Sequence, residues 1–200
     1  YHISQTQDLG VSKSTIYRHL KKGYLSVSPL DFPRVVKFKP RRTPKSDFVP
    51  KAARLGRTYE DFLFFIEETE TPFWVEMDTV IGRPGGKVIL TLDFTFCNFL
   101  AAILLGNKPA CEAADKIRQV KSALTASGFR FGDIFPVILT DNGSEFSNPR
   151  AIEYDASGKQ RTRVFYCDPS SPFQKGSAEK NHEFIRLFIP KGQSMDSFIQ

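Results

Sequence analysis

Apolar residues recur along this chain with two periods, and the switches between them predict its elements. FWVEMDTVI (Phe73–Ile81) alternates in part. KVILTLDF (Lys87–Phe94) follows after the turn Gly82-Arg83-Pro84-Gly85-Gly86, and CNFLAAILL (Cys97–Leu105) follows that. Three strand-like runs with short links predict an antiparallel meander. TYEDFLFFIEETE (Thr58–Glu70) has the helical period instead, with Tyr59, Phe62, Leu63, Phe65 and Ile66 on one side. Pro109 opens a second helix through Glu112, Ile117, Val120 and Leu124, which stops near Gly128. Val137, Ile138 and Leu139 form a short apolar run that ends at Asp141-Asn142-Gly143, a buried strand entering a turn. Asp141 then sits at the strand's C-terminal tip, where open α/β sheets place their ligands. Taken alone, it reads first as a turn cap.

The remaining elements follow the same signals. Asn148–Thr162 is polar, with a turn at Ser157-Gly158, and is read as a mobile loop. Arg163–Tyr166 is another short strand, Pro169 and Pro172 enforce an irregular loop, and Gly176–Ile189 is a last helix closed by Pro190-Lys191-Gly192. Three strands, helix, strand, strand, helix predict a mixed α/β sheet flanked by helices, in the ribonuclease-H-like order, over residues 58–200. Before it, residues 1–28 resemble part of a helix-turn-helix. Leu9-Gly10-Val11 makes the turn and Ser12 caps the second helix. Val11, Ile16 and Leu20 face inward, while Lys13, Ser14, Tyr17 and Arg18 face out toward bases and phosphates. A small helical bundle without that function fits the same pattern. Residues 29–57 carry Pro29, Pro33, Pro40, Pro44 and Pro50 among basic residues and read as an extended linker with little structure of its own.

Charge sharpens this division. Residues 34–57 hold nine Lys/Arg and one acid, a net +8, whereas residues 1–33 carry +2 and residues 58–200 carry −4. A basic arm beside an acidic domain implies a polyanion partner, here double-stranded DNA, with Arg41 and Arg42 on its backbone; a solubilising linker is the plainer alternative. No run of 18 apolar residues or signal peptide is present, which predicts no membrane partner and a cytoplasmic, nucleoid-associated protein. Cys97, Cys111 and Cys167 are far apart and form no C-x-x-C pair, which argues against a zinc site. The first residue, Tyr1, and the close in SMDSFIQ read as an excerpt of a longer chain.

The predicted order also places carboxylates together. Asp78 lies in the first strand, and Asp141 ends the strand that lies beside it in that topology. Two such acids repel unless a cation separates them, and oxygen-only donors suit Mg²⁺. Glu179, in the first turn of the last helix, can join them; three acids can hold two metals about 3.5–4 Å apart. Taken alone, Glu179 also complements its helix dipole. Glu183, one turn on, is its rival, and Glu153 in a mobile loop is a poor ligand. Glu76 shares the face of Asp78, and Asp93 flanks it. His182 completes an E-x-x-H with Glu179 and touches substrate or a carboxylate. Lys175, Lys180 and Arg186 flank Glu179 and are placed to hold phosphates near the metals.

EMDTVIG (Glu76–Gly82), ILTDNGSEF (Ile138–Phe146), FYCDPSSPFQKGSAEKNHEFIR (Phe165–Arg186) and FIPKG (Phe188–Gly192) resemble, in order, the signature blocks of IS-thirty-type bacterial insertion-sequence transposases, within the DDE transposase and retroviral-integrase superfamily. The resemblance implies a catalytic triad of Asp78, Asp141 and Glu179. It also implies Mg²⁺-dependent cleavage at transposon ends, with Mn²⁺ able to substitute, and strand transfer into target DNA by a homo-oligomer. Asp141 and Glu179 are 38 residues apart, longer than the family's commoner spacing, with room for a hairpin near Asp155–Arg161. Ala178-Glu179-Lys180 also departs from the commoner Asn-Glu-Asn. A ribonuclease-H-like nuclease and an inactive DNA-binding regulator on the same core are the alternatives.

Overall fold

The computed structural model describes residues 10–27, 49–106 and 109–198. The chain divides into two compact units, residues 1–43 and 44–200. In the first, α1 spans Lys13–Lys21. Ser12 caps it, its Oγ accepting from the Thr15 N–H at 3.2 Å. Gly10 before the helix has φ 61°, a left-handed turn that glycine adopts without strain. Ile16 and Leu20 are partly covered, but Val11 is 51% exposed, contrary to its expected inward place. The expected preceding helix, Arg41 and Arg42 lie outside the described residues.

The second unit is built on β1 (Val75–Ile81), β2 (Val88–Phe94), β3 (Phe99–Leu105), β4 (Ile138–Thr140) and β5 (Val164–Tyr166). They form one sheet in the order β3-β2-β1-β4-β5. The first three are antiparallel, as the short links require, while β4 runs parallel to β1 and β5 parallel to β4. This is an α/β fold with a five-stranded mixed open sheet, compatible with the ribonuclease-H-like order.

Helices cover both faces. On one, α4 (Pro109–Ala126) packs Ala113, Ala114 and Ile117 against Val75, Met77, Leu90, Leu92 and Ile138, and the short α5 (Phe131–Ile134) adds Phe131 to the same core. On the other, α3 (Tyr59–Thr69) lies over β4 and β5, with Phe62 among Val137, Leu139 and Phe165. There α7 (Gly176–Phe188) and the tail that follows lie over β1 and β2 through Ile185, Ile189 and Met195 on Val80 and Ile89. Thr58 and Asp61 close a capping box at the start of α3. Leu63, expected on the apolar side of α3, is 52% exposed. The tail crosses the end of β1 so closely that a Cβ on Gly82 would come within 2.2 Å of the Gln193 carbonyl oxygen. Close backbone approach is the physical requirement for that glycine of the EMDTVIG block.

Two expected loops are ordered instead. Residues 49–57, read as the end of a linker, pack on this unit. Val49 is buried in the α4-side core, α2 spans Lys51–Arg54, and the Arg57 carbonyl accepts from the Tyr166 N–H on the outer edge of β5. The polar stretch after Asn148 contains α6 (Pro149–Glu153), and Glu153 is fully buried rather than mobile. Arg57 donates to its two oxygens at 3.0 and 2.7 Å, and the Val164 N–H donates to one of them at 3.0 Å. Glu153 therefore serves the N-terminal end of β5, opposite the end where Asp141 lies.

Candidate active site

The side chains of Glu76, Asp78 and Val80 alternate with those of Val75 and Met77 along β1, so the first three share the face that α7 covers. In the parallel register Met77 pairs with Thr140, so Asp78 and Asp141 are the next residue of each chain. At that point β4 ends while β1 continues, and both residues are partly exposed, the Asp78 side chain to 17%. Asp141 turns back on its own loop, accepting from the Gly143 N–H at 2.9 Å. Burial pushes its pKa up, and the Asp78 charge adds to that against the nearby Lys175 ammonium. Asp78 accepts from the Thr79 N–H at 2.7 Å.

The counter-charge is Lys175, at the end of the short 3-10 turn Pro172–Lys175 that leads into α7. Its side chain is only 7% exposed, and Nζ donates to the Asp78 carboxylate at 2.7 Å. Burial alone would lower its pKa, but Asp78 and Asp141 together hold it above the ordinary ammonium value. Lys175 thus faces the acid pair from inside the site. His182, nearly two helical turns into α7, places Nε2 2.8 Å from Thr91 Oγ1, and Nδ1 lies 3.9 Å from Asp78. The Thr91 hydroxyl donates to the Asp78 carbonyl at 3.1 Å, which leaves its oxygen to accept from Nε2. Burial lowers the His182 pKa, so the ring is neutral at pH 7.

Asp78, Asp141, Lys175 and His182 are therefore brought together. Glu179 and Glu183 lie on α7 with exposed side chains. Among the described residues no three of His, Cys, Asp and Glu stand close enough to hold a metal ion jointly. Lys180 is exposed, while Arg186 is half-buried and donates to the Ile81 carbonyl at 2.8 Å. In the other unit Lys13, Ser14, Tyr17 and Arg18 are all exposed on α1.

Two contacts around the acids carry no distinctive sequence signal. Glu145, in the 3-10 turn Ser144–Phe146, accepts from the Thr79 hydroxyl and adds negative charge near Asp141. Asn142 donates to the Cys167 carbonyl at 2.7 Å and ties the loop to the end of β5. Glu76 and Asp93, expected to flank the site, are buried register partners under α7.

No family model matches the chain. It is 33% identical over 127 residues to ORF3 of Spiroplasma virus SpV1-R8A2 B, provisionally named an integrase (64% of this chain, 37% of the relative). Against a protein of Streptococcus salivarius, provisionally named the transposase of insertion-like sequence element IS1161, it is 24% identical over 204 residues (100% of this chain, 54% of the relative). The transposase for insertion sequence element IS4351 of Bacteroides fragilis is 27% identical over 123 residues (60% of this chain, 33% of the relative). The chain thus spans between 33% and 54% of the length of these relatives. They bear out the resemblance to insertion-sequence transposases and integrases. Among the described residues no helix is long and apolar enough to cross a membrane.

Proposed function

We propose that residues 58–200 form the catalytic core of a DDE transposase that cleaves DNA at transposon ends and joins the freed 3′-hydroxyl to target DNA. The observation that carries this is the pair Asp78 and Asp141, side by side where β1 and β4 part, with a buried ammonium on Asp78. Like charges at such a place need a cation, and the site is already built around one. The donors are carboxylate oxygens, the set that Mg²⁺ or Mn²⁺ takes together with phosphate, so the residues fit a divalent ion. Asp78 and Asp141 would hold it, and Glu179 would join them from α7. The ion supplies charge neutralisation for in-line phosphoryl transfer.

The chain's own residues do the rest. Neutral His182 orients against Thr91 beside Asp78. Lys180 and Arg186 lie along the α7 approach for DNA phosphates, while Lys13, Ser14, Tyr17 and Arg18 read the transposon ends and Arg41 and Arg42 neutralise the backbone. Cleavage adds water across a phosphodiester and frees a 3′-hydroxyl. Transfer exchanges one phosphodiester for another, which needs no energy source beyond the bonds present. An inactive DNA-binding regulator is the second reading, favoured by the exposure of Glu179 and by Lys175 standing on Asp78. Strand transfer from a pre-cleaved DNA end separates the readings. Joined product in Mg²⁺ or Mn²⁺, none in EDTA and end binding without joining in Ca²⁺ is the expected pattern. Cleavage without any joining would identify a nuclease, and binding alone a regulator.

A further inference from the structure

Helix α7 has no side-chain cap of its own, because the residue at its N-cap, Lys175, carries only donors, which it directs at Asp78. Its free first-turn N–H groups therefore need another acceptor. Glu76 supplies one from the sheet: its carboxylate accepts from the Ala178 N–H at 2.8 Å and from the Trp74 indole at 3.4 Å. Directly opposite Glu76 on β2, Asp93 accepts from the Asn181 amide at 2.6 Å, three residues further along α7. Glu76 is 3% exposed and Asp93 0%. Within α7 only Ala178 is buried, so little apolar packing fixes the rotation of this half of the helix. Two buried carboxylates on neighbouring strands are costly unless each is bonded; one oxygen of each is bonded to α7, while Asp93 Oδ1 is buried without a partner.

We propose that Glu76 and Asp93 are positioning residues that set the rotation of α7 about its axis and thereby the place of Glu179, which follows Ala178 directly. This rests on the transposase reading for its consequence but not for the anchoring itself. Two measurements on the whole chain keep them apart. Hydrogen exchange of the 176–188 segment, without DNA or metal, should be markedly faster in Glu76→Ala and largely restored in Glu76→Gln, which keeps an oxygen for the Ala178 N–H. Asn181→Asp, which sets two carboxylates face to face, should also lose protection and regain it when Asp93→Asn is added. In single-turnover cleavage, Glu76→Ala and Asn181→Asp should lose about a hundredfold in rate, the scale of a group misplaced by about 1 Å. End binding should stay unchanged, with recovery in Glu76→Gln and in the double variant. Unchanged exchange in Glu76→Ala and Asn181→Asp would overturn the anchoring. Lost protection with wild-type cleavage, or no recovery in the paired variants, would overturn the positioning role. A wild-type chain that cleaves nothing overturns the transposase reading instead, while the exchange still decides the anchoring.

Discussion

Replacing Arg57 by alanine tests whether the segment before α3 is part of the sheet unit. The guanidinium bridges to both oxygens of Glu153, whose side chain is 1% exposed against 21% for Arg57. Without it, the carboxylate stays buried with only the Val164 N–H as donor. Breaking a buried pair from one side costs about 3–5 kcal/mol, and the partial exposure of Arg57 puts the expected loss at the low end, about 3 kcal/mol. For a domain of this size that lowers the melting temperature by about 6–12 °C. Glu153→Gln should cost less, about 1–2 kcal/mol, since the freed arginine can turn to water while the amide still fills the space. The assay is thermal and urea unfolding at neutral pH, with cleavage measured per folded molecule. Cleavage should not change, because the pair serves the end of β5 away from Asp141. A loss below about 1 kcal/mol for Arg57→Ala, or a larger loss for Glu153→Gln, would refute the reasoning.

Two further outcomes follow from the charge arrangement. Burial holds His182 below its ordinary 6.5, so the folded state binds fewer protons than the unfolded one. Stability should therefore fall as pH drops through 6.5 and level off below the folded pKa, and His182→Asn should remove that part of the dependence; an NMR titration at or above 6.5 would refute it. Neutralising Arg41 and Arg42 together should weaken DNA binding for every sequence alike and flatten the salt dependence by about two counterions, at roughly 0.9 per phosphate contact. An unchanged slope would remove these residues from the backbone contact.

The meander and the strand before Asp141 were legible because their signals are local: alternation, short links and an Asn-Gly stop. The placement of Asp78 beside Asp141 followed from topology alone. What escaped depended on partners far away in sequence. Glu153 looked like a loop acid because its partner, Arg57, is 96 residues earlier. The sequence position of Lys175 places it near the metals but does not show its burial, since lysines are rarely buried unless paired. Its pairing with Asp78 spans 97 residues. Leu63 fits the helical period of α3 but is exposed, the contact with the sheet being made by Tyr59, Phe62, Phe65 and Ile66. Glu76 and Asp93 were placed on the correct face, yet nothing in their spacing indicates that the start of α7 will need them.

The most direct test of the catalytic claim is single-turnover cleavage of a labelled transposon end by Glu179→Gln and Glu183→Gln, with melting curves for both. The two acids are one turn apart on α7, about 5.4 Å along the axis, so an ion held by Asp78 and Asp141 cannot use them equally. Glu179→Gln should keep the wild-type melt and end binding while cleavage falls by several orders of magnitude, and Glu183→Gln should lose far less. Near wild-type cleavage by Glu179→Gln, or an equal collapse in Glu183→Gln with its melt intact, would contradict the assignment.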